Sequence, residues 1–515
     1  MVIPNPYQTP PDTPPVGQSP NAASSKAPAR LSKPKICCNG PKRRAYEYNH
    51  EPGNPVITLH PQGASSVTLH LDEYWVFLFF RFCAERHRMQ VRRTYEGVAR
   101  EALSQDETMQ KTFVGNVFRE LDAGSVRNRE LIIGKGDQSH EEICFRIFLF
   151  CAFYKMETWN ALEGALGHVP RYSTFEKDLP IYEATISDLS RRRRKIYTGA
   201  FQLVPPTPYF GAPHFAASLR FVLALMQMGL PAKLLSCHYA VDASNILRTV
   251  PTLGGFLSLN MLCYLNDSPH LSFSYRNFAS CGPGSRAFLR AMFGPCINST
   301  AYEEAGLHWL QKNQWQYWAA LGEDPPHAWE LGVRPGVRVL DIENALCWCH
   351  RYVKDYLRLG YGSVADSTMP VVKPEAFAPA WCDEEKNALN QSKAVFDDDY
   401  EEAAAKTRPV KEGVWEVERV VGRKGNRTDP DGLFRVRWAG WPPEDDTYER
   451  ASTLRDGSAD ALAEWLEWEG TVWSSIAQVK EKHLYSEVKA ELDEDMSIKV
   501  ESSPHRRTRK RQKTM

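Results

Sequence analysis

The chain has 515 residues, 43% of them hydrophobic, which is room for two or three domains with at least one sizeable core and excludes a wholly disordered protein. Lys plus Arg and Asp plus Glu both total 63, so no global charge argues for nucleic acid and any electrostatic case rests on local clusters. The twelve cysteines include no Cys-x-x-Cys pair, which fits reduced thiols in a cytosolic or nuclear protein better than a disulfide framework or a zinc module. Cys347-Trp348-Cys349-His350 has no second half, so buried thiols are expected there rather than a metal site, and no cofactor is implied.

Residues 1–55 are rich in Pro, Ser, Ala and Asn without apolar period and are expected to be a disordered tail. No apolar run approaches the ~18 residues that span a bilayer. The richest stretches, Tyr74 to Phe82 and Ile143 to Tyr154, are interrupted by Arg81 and Arg146 and are expected to be core helices, so no membrane partner is expected. From 56 to 364 apolar-periodic segments separated by Pro and Gly predict a mainly helical domain. Its first helix, from about Leu71 to Arg93, carries Arg86, Arg92 and Arg93 in a cationic second half. Next, Phe113 to Asp122 is read as a helix with Asn116, Arg119 and Glu120 on one face. Val250-Pro251-Thr252-Leu253-Gly254-Gly255 lies between helices predicted at Tyr239 to Leu247 and Phe256 to Leu265. Such a turn is the helix-hairpin-helix device, whose glycines and free amides hold a phosphate, although an ordinary connector reads the same way. Cys281-Gly282-Pro283-Gly284 is a second turn of that kind, opening a helix from Arg286 to Phe293. Val339 to Lys354 is the last helix of the domain.

These blocks together resemble the helical domain of 5-hydroxymethyl-deoxyuridine DNA kinases and the related α-glutamyl/putrescinyl-thymine pyrophosphorylases. The residues that carry the resemblance are Glu85-Arg86, Arg92-Arg93, Phe113, Asn116-Val117, Arg119 to Asp122, the turn at Gly254, Phe256, Gly282-Pro283-Gly284, Glu343, Leu346-Cys347 and Tyr352. The resemblance implies a mainly α fold related to helix-hairpin-helix DNA glycosylases and a role with hypermodified thymine. DNA-binding residues on this reading are Arg86, Arg92, Arg93, Asn116, Arg119, Gly254, Gly255, Gly282 and Gly284. Kinase activity is not expected, because the chain has no Gly-x-x-x-x-Gly-Lys-Ser/Thr loop to cradle phosphates. A glycosylase Asp after the hairpin is also missing, since no Asp or Glu occurs between Asp267 and Glu303. Chemistry would therefore fall to Glu85, Glu120, Asp122, Asp267 or Glu343, each of which could equally be a structural ion-pair partner.

Residues 365–410 read as a linker with the acidic run Asp397 to Glu402. Across 411–472, strands are predicted at Val414 to Val421, Leu433 to Trp438 and Asp446 to Glu449, with a closing helix that carries Leu462, Trp465, Leu466 and Trp468. This small sheet and helix resembles a chromodomain. Trp415, Trp438 and Trp441 fall on its three cage positions and Glu449 on the Glu after the third strand, while Tyr448, Arg450 and the long loop from Gly422 to Gly432 depart from the pattern. Three π faces attract a methylated ammonium at roughly 0.5 to 2 kcal/mol per face. Three tryptophans also suit the core of a small domain, but Trp438 and Trp441 flank a turn, which favours the cage.

Residues 473–515 form a polar tail ending in the basic run from Arg506 to Lys513, which reads as nuclear localisation or nonspecific nucleic-acid contact. The expectation is a nuclear, chromatin-associated protein that docks on a methylated histone tail and engages DNA, with base-modifying activity open. The alternative is a non-catalytic histone-reading adaptor whose helical domain is an interaction scaffold.

Overall fold

A computed structural model describes residues 3–4, 53–111, 114–206, 214–331, 333–358 and 414–501, with side chains described to 482. Phe113, the linker 365–410 with its acidic run, the basic end and almost all of the 1–55 segment lie outside the described residues. In chain order the strands are β1 (Ile3–Pro4), β2 (Val56–Leu59), β3 (Val67–His70), β4 (Val414–Trp415), β5 (Val417–Lys424), β6 (Leu433–Trp438) and β7 (Thr447–Arg450). The longer helices are α1 (Glu73–Tyr95), α2 (His140–Phe153), α3 (Met156–Leu166), α4 (Tyr172–Arg191), α5 (His214–Gln227), α6 (Ala240–Thr249), α7 (Gly255–Asn266), α8 (Pro283–Phe293), α9 (Thr300–Leu321), α10 (Val339–Arg358), α11 (Ala451–Gly457) and α12 (Ala459–Glu501). The chain is thus mainly α with a small antiparallel sheet near its end, and it divides into two compact units. The first holds residues up to 138, 234–248 and 253–466, and the second holds 139–233, 249–252 and the chain from 467 onward. No described helix is long and apolar enough to cross a membrane.

Helix α1 is the centre of the first unit. From Glu73 to Val91 every residue but Arg81 is buried, and the apolar run from Tyr74 to Phe80 supplies the hydrophobic part of that core. Phe80 stacks on Tyr317 of α9 at 5.4 Å and meets Trp318 edge-on at 4.6 Å. The polar second half of α1 can be buried because its charges are paired: Arg88 bonds Glu85 at 3.1 Å and also Glu323. The hairpin β2-β3 was not foreseen from the sequence, its strands being only four residues each.

Of the segment read as a helix at Phe113 to Asp122, the described part from Val114 is irregular, with bends at Val117 and Phe118, and forms only one 3₁₀ turn, Arg119–Leu121. Local side-chain bonds win over the helix ladder here. The Asp122 carboxylate takes the Asn116 N–H, and Asn116 Nδ2 donates to the Leu121 carbonyl at 2.9 Å. Gly115 is needed because a Cβ there would lie 2.1 Å from Nε1 of Trp348. The single helical face of Asn116, Arg119 and Glu120 therefore does not exist.

In the sheet, β5 pairs with β6 and β6 with β7, all antiparallel. Register shifts between Val417 and Arg419 and between Val420 and Gly422 interrupt the strict alternation of β5. Val420, Val421, Phe434, Val436 and Leu454 are buried with Leu462 and Trp465 of α12, whereas Leu466 is exposed. β1 pairs with β4, with Ile3 opposite Trp415.

This sheet is joined to the helices of the same unit by buried charge. Arg437 of β6, 1% exposed, donates to Asp242 of α6 at 2.9 and 3.3 Å, donates to Asp446 at 3.0 Å, and lies over the Tyr239 ring at 4.7 Å. Arg419 reaches the same Asp242 at 3.2 Å. Burial alone would depress the Arg437 guanidinium, but its bonds to Asp446 and Asp242 more than offset this and raise its pKa. Arg435 bonds Asp446 at 2.8 Å and Gln62 of the hairpin loop at 2.6 Å, and Gln62 donates to the Pro443 carbonyl at 2.7 Å. Gly63, at φ +65°, takes a left-handed turn where a Cβ would meet the Tyr448 ring at 2.7 Å.

The second unit packs α2 to α5. Phe145 of α2 meets Phe175 of α4 at 4.8 Å, and Phe175 meets Tyr182 at 4.9 Å. Glu142 of α2 accepts the N–H groups of Tyr172 and Ser173 at 2.7 and 3.0 Å and so satisfies the amino end of α4.

Removing one member of a buried charge pair leaves the other uncompensated, so Asp242→Ala is expected to cost about 3 to 5 kcal/mol in urea denaturation of the full chain. Adding Arg437→Met should restore most of that loss, because the fully buried cation is then gone, Asp446 keeps Arg435, and Arg419 is a quarter exposed to water.

Candidate functional sites

Two sites are built from residues that the sequence singled out. The first is the tryptophan cluster at one end of the sheet. Trp415 ends β4, Trp438 ends β6, and Trp441 follows the turn in which Gly440 is left-handed at φ +83°. The Trp415 and Trp441 rings lie 4.2 Å apart at 41°, and Trp415 meets Trp438 edge-on at 6.2 Å. Trp415 and Trp441 are half-buried, while Trp438 is only 3% exposed and donates its indole N–H to Thr447 at 3.2 Å. Thr447 in turn donates to Glu449 at 2.7 Å, which links a carboxylate to the cluster. Trp438 thus belongs to the small core, while Trp415 and Trp441 keep part of their surface open to solvent.

The second site is a cavity of about 360 Å³ against α1, lined by Arg86, Met89, Arg93, Arg100, Leu103, Met109 and Val114. Arg86 is buried and donates to the carbonyls of Val114 and Gly115 at 3.2 and 2.6 Å. Burial pushes its pKa down to about 10, against the opposing charge of Asp122. Arg93 and Arg100 are exposed at the mouth, and Arg93 donates to Gln90. Three guanidinium groups around one concave apolar floor suit an anionic group carried on a flat or apolar body. Arg100 was not singled out in the sequence, where it stands apart from the cationic half of α1. Arg92, by contrast, does not line the cavity and donates to the Leu103 carbonyl at 3.3 Å.

The five carboxylates are dispersed, and each has internal partners. Glu85 bonds Arg88 and Ser104; Glu120 bonds Arg338 at 2.8 Å; Asp267 bonds Arg129 at 3.2 Å. Asp122 lies near enough to Arg86 and Arg93 for their charges to act on it, yet burial dominates and raises its pKa to about 6. Asp267 is raised to about 7, again mainly by burial. Glu343, buried beneath α8, accepts the Gly282 N–H at 3.0 Å and the Ser285 hydroxyl at 2.7 Å.

That last contact changes the reading of the glycine turns. The Gly282 amide, expected to be free for a phosphate, is already held by an internal carboxylate, which is the anion that a helix N-terminus attracts. A Cβ on Gly282 would meet the Phe256 ring at 2.6 Å, one on Gly255 the Ser280 hydroxyl at 2.4 Å, and one on Gly284 the Cys347 sulfur at 3.0 Å. These glycines permit close packing inside the fold. Gly254 has φ −76°, ψ 170° and open space around a Cβ, so it needs no glycine; the left-handed residue of the turn is Thr252, at φ +72°. Asn116 is buried in the turn beside Asp122, and Arg119 is occupied by Asn260 at 2.8 Å and the Tyr264 ring. Among the described residues no group of three or more His, Cys, Asp or Glu is placed to hold a metal ion.

Residues 73–358 match the family described as 5-hmdU DNA kinase, helical domain. The chain belongs to this helical-domain family. Residues 415–467 match the Chromo (chromatin organisation modifier) domain, so the sheet with its tryptophan cluster and closing helix is a chromodomain. No curated protein and no solved structure matches the chain. The two matches associate this helical-domain family member with chromatin and, more loosely, with DNA.

The raised carboxylates fix a pH dependence. A folded pKa of about 7 for Asp267 means that the native state keeps a proton which the unfolded chain releases near pH 4, so stability from this group falls as pH rises from about 4 to 7 and is level above. Asp267→Asn should therefore gain on the wild type by a few kcal/mol across that window in paired denaturant titrations.

Proposed function

We propose that this is a nuclear chromatin protein whose chromodomain reads a methylated lysine on a histone tail and whose helical domain engages DNA at a modified thymine. The observation that carries the first half is the convergence of Trp415, Trp438 and Trp441, with ring separations of 4.2 and 6.2 Å and Glu449 linked through Thr447. A methylated ammonium lying against the open faces of Trp415 and Trp441, whose rings touch each other, gains cation–π attraction without needing a hydrogen bond, and Glu449 adds long-range charge. The edge of β4, where Ile3–Pro4 pairs, is an edge to which an extended peptide can add as a strand.

The second half rests on the cavity at Arg86, Arg93 and Arg100, which has the size and charge for an extruded base carrying an anionic group. If that base is processed, Asp122 is the carboxylate we assign to proton transfer, since its pKa of about 6 and its position beside Arg86 and Arg93 suit a general acid or base near neutral pH. A second reading, a histone-reading adaptor without chemistry, is favoured by the structural partners of Glu85, Glu120 and Glu343. Incubating the full chain with duplexes that contain thymine, hydroxymethyluracil or its phosphorylated form, followed by mass spectrometry of the bases, separates the two. A changed base that disappears with Asp122→Asn supports the enzyme; intact bases in every duplex support the adaptor.

For the cage, Trp441→Ala should weaken binding of a trimethyl-lysine histone peptide by about 0.5 to 2 kcal/mol in calorimetry while leaving the melting temperature nearly unchanged. Trp438→Ala should instead destabilise the protein, by about 3 to 5 kcal/mol, because it empties a buried site. Equal wild-type affinity for methylated and unmethylated peptide would end the cage reading. At the cavity, Arg93→Ala and Arg100→Ala should lower DNA affinity without a change in melting temperature. Arg86→Ala should lower the melting temperature, since its guanidinium satisfies two carbonyls.

A further inference from the structure

The second unit carries a surface that neither site uses. At the carboxyl end of α4 the chain runs Arg191-Arg192-Arg193-Arg194-Lys195, five consecutive cations that are all exposed. Asp188 pairs with Arg191 at 3.0 Å and with Arg192 at 2.8 Å, but the side chains of Arg193, Arg194 and Lys195 make no ion pair or hydrogen bond with the described residues. The turn that displays them is a defined one: Arg193 is left-handed at φ +54°, and the N–H groups of Arg193 and Arg194 donate to the carbonyls of Ser190 and Leu189 at 2.9 and 3.0 Å.

A second observation points to the same loop. The described residues contain four non-glycine residues with positive φ, namely Tyr154, Arg193, Phe201 and Thr252, and all four belong to this unit. Bulky L residues avoid that conformation, and its persistence tends to mark functional sites. Two of the four, Arg193 and Phe201, lie in one loop, 192–204, and the other two, Tyr154 and Thr252, contact it. Tyr197 stacks on Phe153 at 5.4 Å, Phe201 packs against Tyr154 at 5.5 Å, and the Leu203 N–H donates to the Cys151 carbonyl at 2.9 Å. Thr252 donates to the Val204 carbonyl at the end of the loop. The result is an aromatic pair whose outer member, Phe201, is 41% exposed and follows Lys195 by six residues, within about 20 Å at full extension.

We propose that this face of the second unit binds single-stranded DNA, with Arg193, Arg194 and Lys195 tracking the phosphates and the Tyr154–Phe201 pair stacking on an unpaired base. The proposal rests on the reading that the protein engages DNA and names where a strand displaced from its partner would lie. Cations that follow a backbone, combined with an aromatic platform, are the two parts that sequence-tolerant single-strand binding needs. Guanidinium groups without partners among the described residues can bond phosphate oxygens in pairs. A nuclear-import receptor would read the cations alone and would be indifferent to Phe201.

The test is fluorescence anisotropy of the full chain with a short oligo-dT strand and with a matched duplex, from about 50 to about 200 mM salt. The wild type is expected to prefer the single strand. Replacing Arg193, Arg194 and Lys195 by Ser should reduce the slope of log affinity against log salt by about 2, the count for three lost phosphate contacts on a single strand. Phe201→Asn, which tolerates the left-handed backbone, should weaken single-strand binding by roughly tenfold and leave the slope unchanged, while Phe201→Trp should retain it. Thermal melts of each variant exclude unfolding as the cause, and the Trp variant reports on stacking even if the Asn variant melts early. Wild-type behaviour of both the triple and the Asn variants, with loss of binding only in Arg93→Ala and Arg100→Ala, would overturn this surface and leave the DNA reading standing. A triple variant that changes nuclear uptake but not DNA affinity would overturn it in favour of an import signal. No binding of either DNA by the wild type would defeat the DNA reading itself and this proposal with it.

Discussion

The first unit depends on one buried cation. Arg437 sits in the middle strand of the chromodomain sheet, yet half of its partners come from α6 of the helical domain. A guanidinium 1% exposed is tolerable only while Asp242 and Asp446 both face it, so the sheet, helix α6 and the turn at Asp446 must be assembled together. The hairpin β2-β3 adds a second tie, because Gln62 closes the bonding around Arg435 and Gly63 lets its tip touch Tyr448. Trp438 is the next residue after Arg437, so the tryptophan that ends β6 is tied through the backbone to a helix of the other domain.

Carboxylates play a consistent part elsewhere in the fold. Glu343 fills the amino end of α8, Glu142 that of α4, and Asp122 holds the turn at Asn116. In each case a buried anion satisfies backbone N–H groups that a solvent-exposed turn would offer to a ligand. Gly255, Gly282 and Gly284 at the starts of α7 and α8 then serve close packing.

Much of this was legible in the sequence, for reasons that can be stated. The core helices at Tyr74 to Phe82 and Ile143 to Tyr154 were readable because long apolar stretches have no other place to go, and α7, α8 and α10 fall within a few residues of their expected positions. The three strands of the chromodomain follow from alternation and turn chemistry. What was not legible depends on contacts distant in sequence. Nothing local distinguishes Asp242 from a surface carboxylate on α6, and Arg437 reads as one more alternating polar residue until its partner, 195 positions away, is known. The helix expected at Phe113 to Asp122 failed because the side chains of Asn116 and Asp122 compete for the backbone, and the sequence could not show that the left-handed residue of the turn before α7 is Thr252, not one of its glycines.

If the chromodomain sheet and the helical core are one cooperative body, their innermost amides must open together. Native-state hydrogen exchange of the full chain across a denaturant series measures this directly. The amides of β6, from Phe434 to Trp438, are predicted to exchange with the same free energy and the same denaturant dependence as those of α7 and α8. Exchange of the β6 amides through a separate opening of lower free energy, with α7 and α8 still protected, would show that Arg437 does not bind the two domains into one unit.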